Sequence, residues 1–323
     1  MDLEYQALQN KRAVGTKKDK SKSFLLIMKK YKYYYLLMLP GILYFIIYKY
    51  IPMFGIVIAF KDYVPWYGFI NSEWVGFKNF NMFFSSVYFW RLLRNAFVIN
   101  GLKIIFSFPL QLIFALLLNE VLHLKYKKIV QTVSYLPHFF SWVVLGGLMF
   151  NLFNTNYGVI PKVMESIGMQ PVSLLMSPGL FRPLLVITAA WRYMGWGAIV
   201  YIAALAGIDP NLYEAAVIDG ANKWKQMIHV TLPSIIPLFI IMFIMRLGQV
   251  LGNDFQQILV LMNENGVLFE VGDVFETFVY RIGIQQGNFS YASAVGLFQG
   301  IVGFVFVVST NYAVKKMGQD SLW

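Results

Sequence analysis

Cysteine is absent from this sequence, which excludes disulfides, iron–sulfur clusters and thiolate metal sites. Charge is scarce as well. Asp, Glu, Lys and Arg make up 13% of the 323 residues, where a soluble domain carries about 25%. So few charges cannot cover a water-facing surface of this size, and a bilayer must act as solvent for much of the chain. No G-x-x-x-x-G-K-[ST] phosphate loop occurs, so the chain cannot hydrolyse ATP by that route. Metal-ligand spacing, a Ser/His/Asp arrangement and cofactor fingerprints are also missing. The sequence offers no catalytic residue, no metal site and no bound cofactor. It shows no convincing internal repeat, which weakens a reading as an inverted-repeat carrier.

What is there is apolar. Hydrophobic residues are 58% and aromatic residues 18% of the chain, and the mean hydropathy is +0.57. A membrane-crossing helix needs about 20 mostly apolar residues. The predicted fold is all-α and polytopic, with six transmembrane helices, at about Tyr33–Phe60, Phe97–Leu118, Ile129–Phe153, Leu180–Leu205, Pro233–Met262 and Tyr291–Val314. Pro40 and Pro52 should bend the first, Pro109 lies in the second, and Pro137 interrupts the third.

The net charge of +11 is distributed for orientation in a membrane. Met1 to Lys22 is polar, has no apolar core or cleavage site, and reads as a basic, disordered tail instead of a signal peptide. Lys29, Lys30 and Lys32 precede the first span. Lys125, Lys127 and Lys128 precede the third, Lys223 and Lys225 the fifth, and Lys315 and Lys316 follow the sixth. The intervening loops are mixed, nearly neutral or acidic, the last with Glu264, Glu270, Asp273 and Glu276. The positive-inside rule then puts both termini in the cytoplasm. The chain divides into a basic cytoplasmic tail, 1–32, and a transmembrane domain, 33–323, whose cytoplasmic loop at about 207–232 is the most informative stretch.

In that loop Asp209 followed by Pro210 is an N-cap with Pro at the first helical position. Gly220 is a natural C-terminal stop. A short helix over about Pro210–Asp219 is expected, then a second over Ala221–Thr231. Ala215 and Ala216 give the first a small-residue face suited to close docking against a partner.

Glu214-Ala215-Ala216, Gly220, Val230, Leu232 and Pro233, with Asp219 and Ala221, resemble the E-A-A…G…I-x-L-P signature of importer permeases of the ATP-binding-cassette superfamily. Val230 stands where Ile is usual. Tyr50–Lys61 resembles the first-span ending of the subfamily importing oligosaccharides and polysaccharide fragments. Trp74–Phe80 resembles the external G-x-x-N-F element of sugar permeases, and Tyr135-Leu136-Pro137 the start of their third span. The resemblance implies the type I importer permease fold and a multi-pass protein of the bacterial cytoplasmic membrane. It implies that the loop is the coupling helix, which sits in a cleft of a cytoplasmic ATPase. Glu214 would meet a basic ATPase residue, Ala215 and Ala216 would pack closely and Gly220 would form the turn, with Asp219 also among the ATPase-coupling residues. Partners implied are a second homologous permease (a heterodimer), two ATPase subunits holding ATP and Mg, an extracellular or periplasmic solute-binding protein, a sugar and membrane lipid. Nucleic acid is not among them.

Polar groups within spans usually face a cavity or a partner. On the fourth span Trp191, Arg192, Tyr193 and Trp196, and on the fifth Arg246, Gln249 and Asn253, are the candidate substrate-pathway residues. Aromatic faces stack on sugars and amides bond hydroxyls. Arg192 and Arg246 stand where a maltose-type permease is uncharged, which suggests an acidic, uronic sugar. Bland readings stand beside these. Trp191 and Trp196 could be core or lipid-facing, Arg246 could pair with Asp254, and Gln256, Gln257 and Asn263 could mark only the external end of the span. His138 and His229 read as interface or loop residues and Gly146–Gly147 as a packing notch. A secondary transporter driven by an ion gradient and a non-transporting scaffold are the competing functions.

Overall fold

The computed structural model describes residues 29–170, 174–252, 254–316 and 318. It divides into two compact units with the boundary between Val57 and Ile58. Helix α1, Lys32–Phe60, supplies most of the described residues of the first unit. A two-residue hairpin, β1 (Lys61–Asp62) with β2 (Glu73–Trp74), opens the second, pairing Lys61 with Trp74 and Asp62 with Glu73.

The long helices that follow are α2 (Val87–Asn119), α5 (Pro178–Leu205), α7 (Lys223–Leu247) and α9 (Phe289–Lys316). Between α2 and α5 lie α3 (Leu124–Phe139) and α4 (Trp142–Phe153). Among the described residues five helices, α1 included, are long and apolar enough to cross a membrane, and the α3–α4 pair brings the number to six if it counts as one broken span. The predicted third span is therefore not straight. Its two halves meet at 101°. Pro137 is not the break, for it stays inside α3. The chain turns two residues beyond its last helical neighbour, where Ser141 caps α4 by accepting from the Val144 N–H at 3.3 Å.

Three prolines are absorbed in one way. A residue without an N–H breaks the ladder to the carbonyl four residues back. Ahead of Pro52, Pro109 and Pro233 the helix widens into a π turn, at Ile46–Tyr50, Lys103–Ser107 and Met227–Thr231. Each turn contains the carbonyl that the proline cannot use: Tyr48, Ile105 or His229. The helices continue through, and the middle turn sets Lys103 on a local widening of α2.

The fifth span is shorter than expected. Its helix ends at Leu247, and a separate helix, α8, covers Phe255–Met262. The second loop helix is likewise not separate: Asn222 caps it by accepting from the Lys225 N–H at 2.9 Å, and α7 runs unbroken from Lys223. Apolar clusters knit the second unit together. Ile99, Met149, Phe181, Leu185, Ile258 and Leu261 join α2, α4, α5 and α8. Leu112, Ala115, Ala198, Tyr201 and Ile235 join α2, α5 and α7 toward the other end of α5.

Candidate substrate passage and docking helix

Helix α6, Pro210–Ile218, has the ends its sequence predicts. The Asp209 carboxylate accepts from the Asn211 N–H at 2.9 Å. Gly220 has φ +76°. Around it the Ala221 N–H bonds Ala216 at 2.8 Å and the Gly220 N–H bonds Val217 at 3.0 Å, the paired C-terminal bonds of a Schellman motif. No residue of α6 is buried. Glu214, Ala215, Asp219 and Gly220 are exposed and Ala216 is half-buried, beside exposed Val217 and Ile218. One hydrogen bond ties the helix to the root of α7, between the hydroxyls of Tyr213 and Thr231 at 2.9 Å.

Within the bundle, α2, α5 and α7 enclose a cavity of about 340 Å³ lined by Lys103, Gln111, Tyr193, Trp196, Arg246, Gln249 and Asp254 among others. A second, of about 440 Å³, is lined by Trp142, Arg192, Tyr193, Gln249, Gly252, Asp254, Phe255, Gln256 and Glu276. Tyr193, Gln249 and Asp254 line both. Trp196 stacks on His138, ring centroids 4.3 Å apart and 5° from parallel. The Arg192 guanidinium lies 4.6 Å from the Trp142 ring and 5.4 Å from that of Tyr193.

Asp254 organises the polar centre. The Lys103 ammonium, 1% exposed, sits 3.0 Å from its Oδ2, and Arg246 approaches the same oxygen at 3.7 Å. The Tyr193 hydroxyl donates to Oδ1 at 2.9 Å. Lys103 also donates to the Gln257 side-chain oxygen at 2.6 Å. The Gln257 amide nitrogen in turn reaches Leu185 O and Thr188 Oγ1 at 2.8 and 2.7 Å. Burying cations in an apolar bundle is costly unless they are paired and hydrogen-bonded, and this network meets that need.

Arg192, Tyr193, Trp196, Arg246 and Gln249 thus come together around these cavities. Trp191 lines neither of them and is exposed. Asn253 lies outside the described residues. Gln257 is a buried member of the network, not a marker of the end of a span. Lys103 was legible as a signal, since a lysine amid an apolar run is costly, yet it escapes a reading that looks for clusters along one span.

At the end of α5 opposite α6, a second ion network surrounds Asp273, which is fully buried. Arg281 pairs with it, Arg91 reaches it at 3.4 Å, and its backbone oxygen accepts from Asn95 at 3.0 Å. Arg182 of α5 donates to Val271 O at 3.0 Å and to Asn95 Oδ1 at 2.8 Å. The segment between α8 and α9 is thereby fastened across the ends of α2 and α5.

Known proteins share this arrangement. Residues 103–319 match the family described as binding-protein-dependent transport system inner membrane component. The protein LplB of Bacillus subtilis (strain 168) is 44% identical over 301 residues, 93% of this chain and 94% of its own. The polygalacturonan/rhamnogalacturonan transport system permease protein YteP of the same organism is 42% identical over 311 residues, 96% of each chain. One chain of the crystal structure of a bacterial ABC transporter involved in the import of the acidic polysaccharide alginate superposes with a TM-score of 0.84 at 35% identity, covering 91% of this chain and 99% of that one. A multi-pass bundle, an exposed helix carrying Glu-Ala-Ala and relatives matched over nearly their whole length lead to one conclusion: the chain belongs to the binding-protein-dependent transport system inner membrane component family, as the permease subunit of an ATP-driven importer and not an enzyme.

Proposed function

We propose that this permease carries an oligosaccharide of carboxylate-bearing sugars, delivered by a solute-binding protein. The observation that carries the reading is Arg192. Its Nε and Nη1 are buried without a hydrogen-bond partner among the described residues, while the guanidinium lies over Trp142 in the wall of the second cavity. Leaving such a group unpaired is costly, and a ligand carboxylate supplies the missing acceptors. Exposed Trp196 adds an aromatic ring to the lining of the first cavity. Lys103 and Arg246 extend the cationic lining into the first cavity. The polygalacturonan/rhamnogalacturonan permease and the alginate importer are relatives whose names point to the same class of cargo.

In this reading both termini and α6 face the cytoplasm. Glu214, Ala215, Ala216, Asp219 and Gly220 dock into an ATPase subunit, a second permease completes the passage, and lipid surrounds the pair. Nucleotide-driven closure of the ATPases pulls on α6 and opens the cavities toward the binding protein. The test is uptake by the whole importer in proteoliposomes, with acidic and neutral oligosaccharides of one length. Acidic uptake should dominate, and Arg192→Ala should remove it selectively. Equal losses for both classes overturn the acidic reading, and a chain that never copurifies with an ATPase overturns the docking role.

A further inference from the structure

We propose that Lys103 and Arg246 form a carboxylate-binding site in the passage, and that Asp254 fills it as an internal stand-in until a substrate carboxylate displaces it. The inference rests on the acidic-cargo reading above and adds how that cargo is selected.

Three observations carry it. First, two cations converge on one oxygen: Lys103 at 3.0 Å and Arg246 at 3.7 Å from Asp254 Oδ2. That is the geometry a ligand carboxylate would require, already occupied by a protein carboxylate. Second, the two sides of the pair are mounted differently. Lys103 stands on a continuous helix, whereas Asp254 stands between the end of α7 at Leu247 and the start of α8 at Phe255. Its φ is +60°, a conformation disfavoured for a residue with a Cβ. Moving Asp254 aside disturbs at most the first bond of α8, from the Ile258 N–H to the Asp254 carbonyl at 3.1 Å, whereas Lys103 lies well inside α2. Third, Asp254 lines both cavities, together with Tyr193 and Gln249, so the pair lies where the two spaces adjoin.

Selectivity follows from charge. A neutral sugar that pushes Asp254 aside leaves a buried ammonium without its anion, which is severely unfavourable. An acidic sugar exchanges one carboxylate for another at little net cost. Asp254 then acts against neutral ligands and small weak competitors, and Lys103 is the residue that senses the incoming charge. A pair that merely braces α2 against the connection between α7 and α8 would support every substrate equally.

The experiment uses the complete importer, reconstituted with its partner permease, ATPases and binding protein, and supplied with oligogalacturonate or a neutral galacto-oligosaccharide of the same length. Three variants are needed. Lys103→Met with Asp254→Leu removes both buried charges and leaves only the partly exposed Arg246 without its carboxylate. The ratio of acidic to neutral uptake should fall at least tenfold, with neutral uptake rising in absolute terms. Asp254→Asn removes only the competitor. Oligogalacturonate should bind the membrane complex at least tenfold more tightly and turn over more slowly. Asp254→Glu, which keeps a carboxylate, should hold the wild-type ratio. An unchanged ratio in the double variant, or no tightening in Asp254→Asn, overturns this inference while the acidic reading stands. Wild-type uptake of both ligands at equal rates overturns both.

Discussion

The hydroxyls of Tyr213 and Thr231 meet at 2.9 Å, joining an otherwise exposed helix to the π turn near the start of a membrane-crossing one. Tyr213 lies in α6 beside Glu214, and Thr231 closes the π turn through which α7 enters the bundle. A push on α6 therefore has a direct route to α7. Tyr213→Phe keeps the ring and removes the bond, which is worth about 1 kcal/mol. The expected result is ATP turnover near the wild-type rate with about fivefold less oligosaccharide moved per ATP. The measurement is transported sugar against released phosphate in proteoliposomes. An unchanged ratio would show that the bond carries no coupling.

Glu214 sits on the same helix and is exposed. An exposed carboxylate with no role is tolerant of substitution, generally within about 0.5 kcal/mol. A carboxylate that pairs with a basic ATPase residue is not, and reversing its sign places like charges together. Glu214→Lys should leave the permease folded and membrane-inserted but cut ATPase copurification and uptake by about tenfold or more. Normal copurification of the variant refutes the ionic contact.

The ends of α6 were legible because their signals are local. Asp209-Pro210 and Gly220 dictate the ends of α6 through caps that reach two to five residues, and the crossing segments declare themselves by hydropathy alone. The polar centre is different. Lys103 and Asp254 are 151 positions apart, and no spacing rule links a lysine in one apolar run to an aspartate after another. The end of α7 at Leu247 was hidden for a related reason: Val250 and Leu251 keep the sequence apolar, because they are buried in a cluster with Phe275 and Phe278 although they are not helical. The turn after Phe139 was misplaced because Pro137 is the louder signal, while the break is made by the quieter Ser141 cap.

Asp273 gives a prediction about stability instead of transport. Its side chain is fully buried against Arg281 and Arg91, which are about one-fifth exposed, and its Oδ1 accepts from Thr277 at 2.8 Å. Removing one partner of a buried ion pair typically costs about 3–5 kcal/mol, and the exposure of the arginines places this case at or below the low end, about 3 kcal/mol. Asp273→Asn should lower the thermal unfolding midpoint of the purified complex. Glu270→Gln should hardly move it, since Glu270 is 62% exposed beside a half-exposed Arg94. Equal midpoints for the two variants would mean that the Asp273 network does not brace the segment between α8 and α9.

Gly195 sets how closely α5 approaches α3. A Cβ built there would collide with the Ser134 carbonyl, and backbone cannot swing aside as a flexible side chain can. Four residues beyond Ser134 in α3, His138 stacks on Trp196, whose side chain lines the 340 Å³ cavity. Gly195→Ala must therefore push the two helices apart, disturbing that stack as well as the packing. Overpacking of this kind costs about 1–3 kcal/mol. Gly147 is the matched control, for a Cβ there would meet nothing within 4 Å. The expected outcome is a lower unfolding midpoint and slower uptake for Gly195→Ala, with Gly147→Ala like wild type in both. If the two alanine variants melt together, the close approach at Ser134 does not hold α5 in place. The wall of the passage must then be positioned by the contacts of α5 with α2 instead.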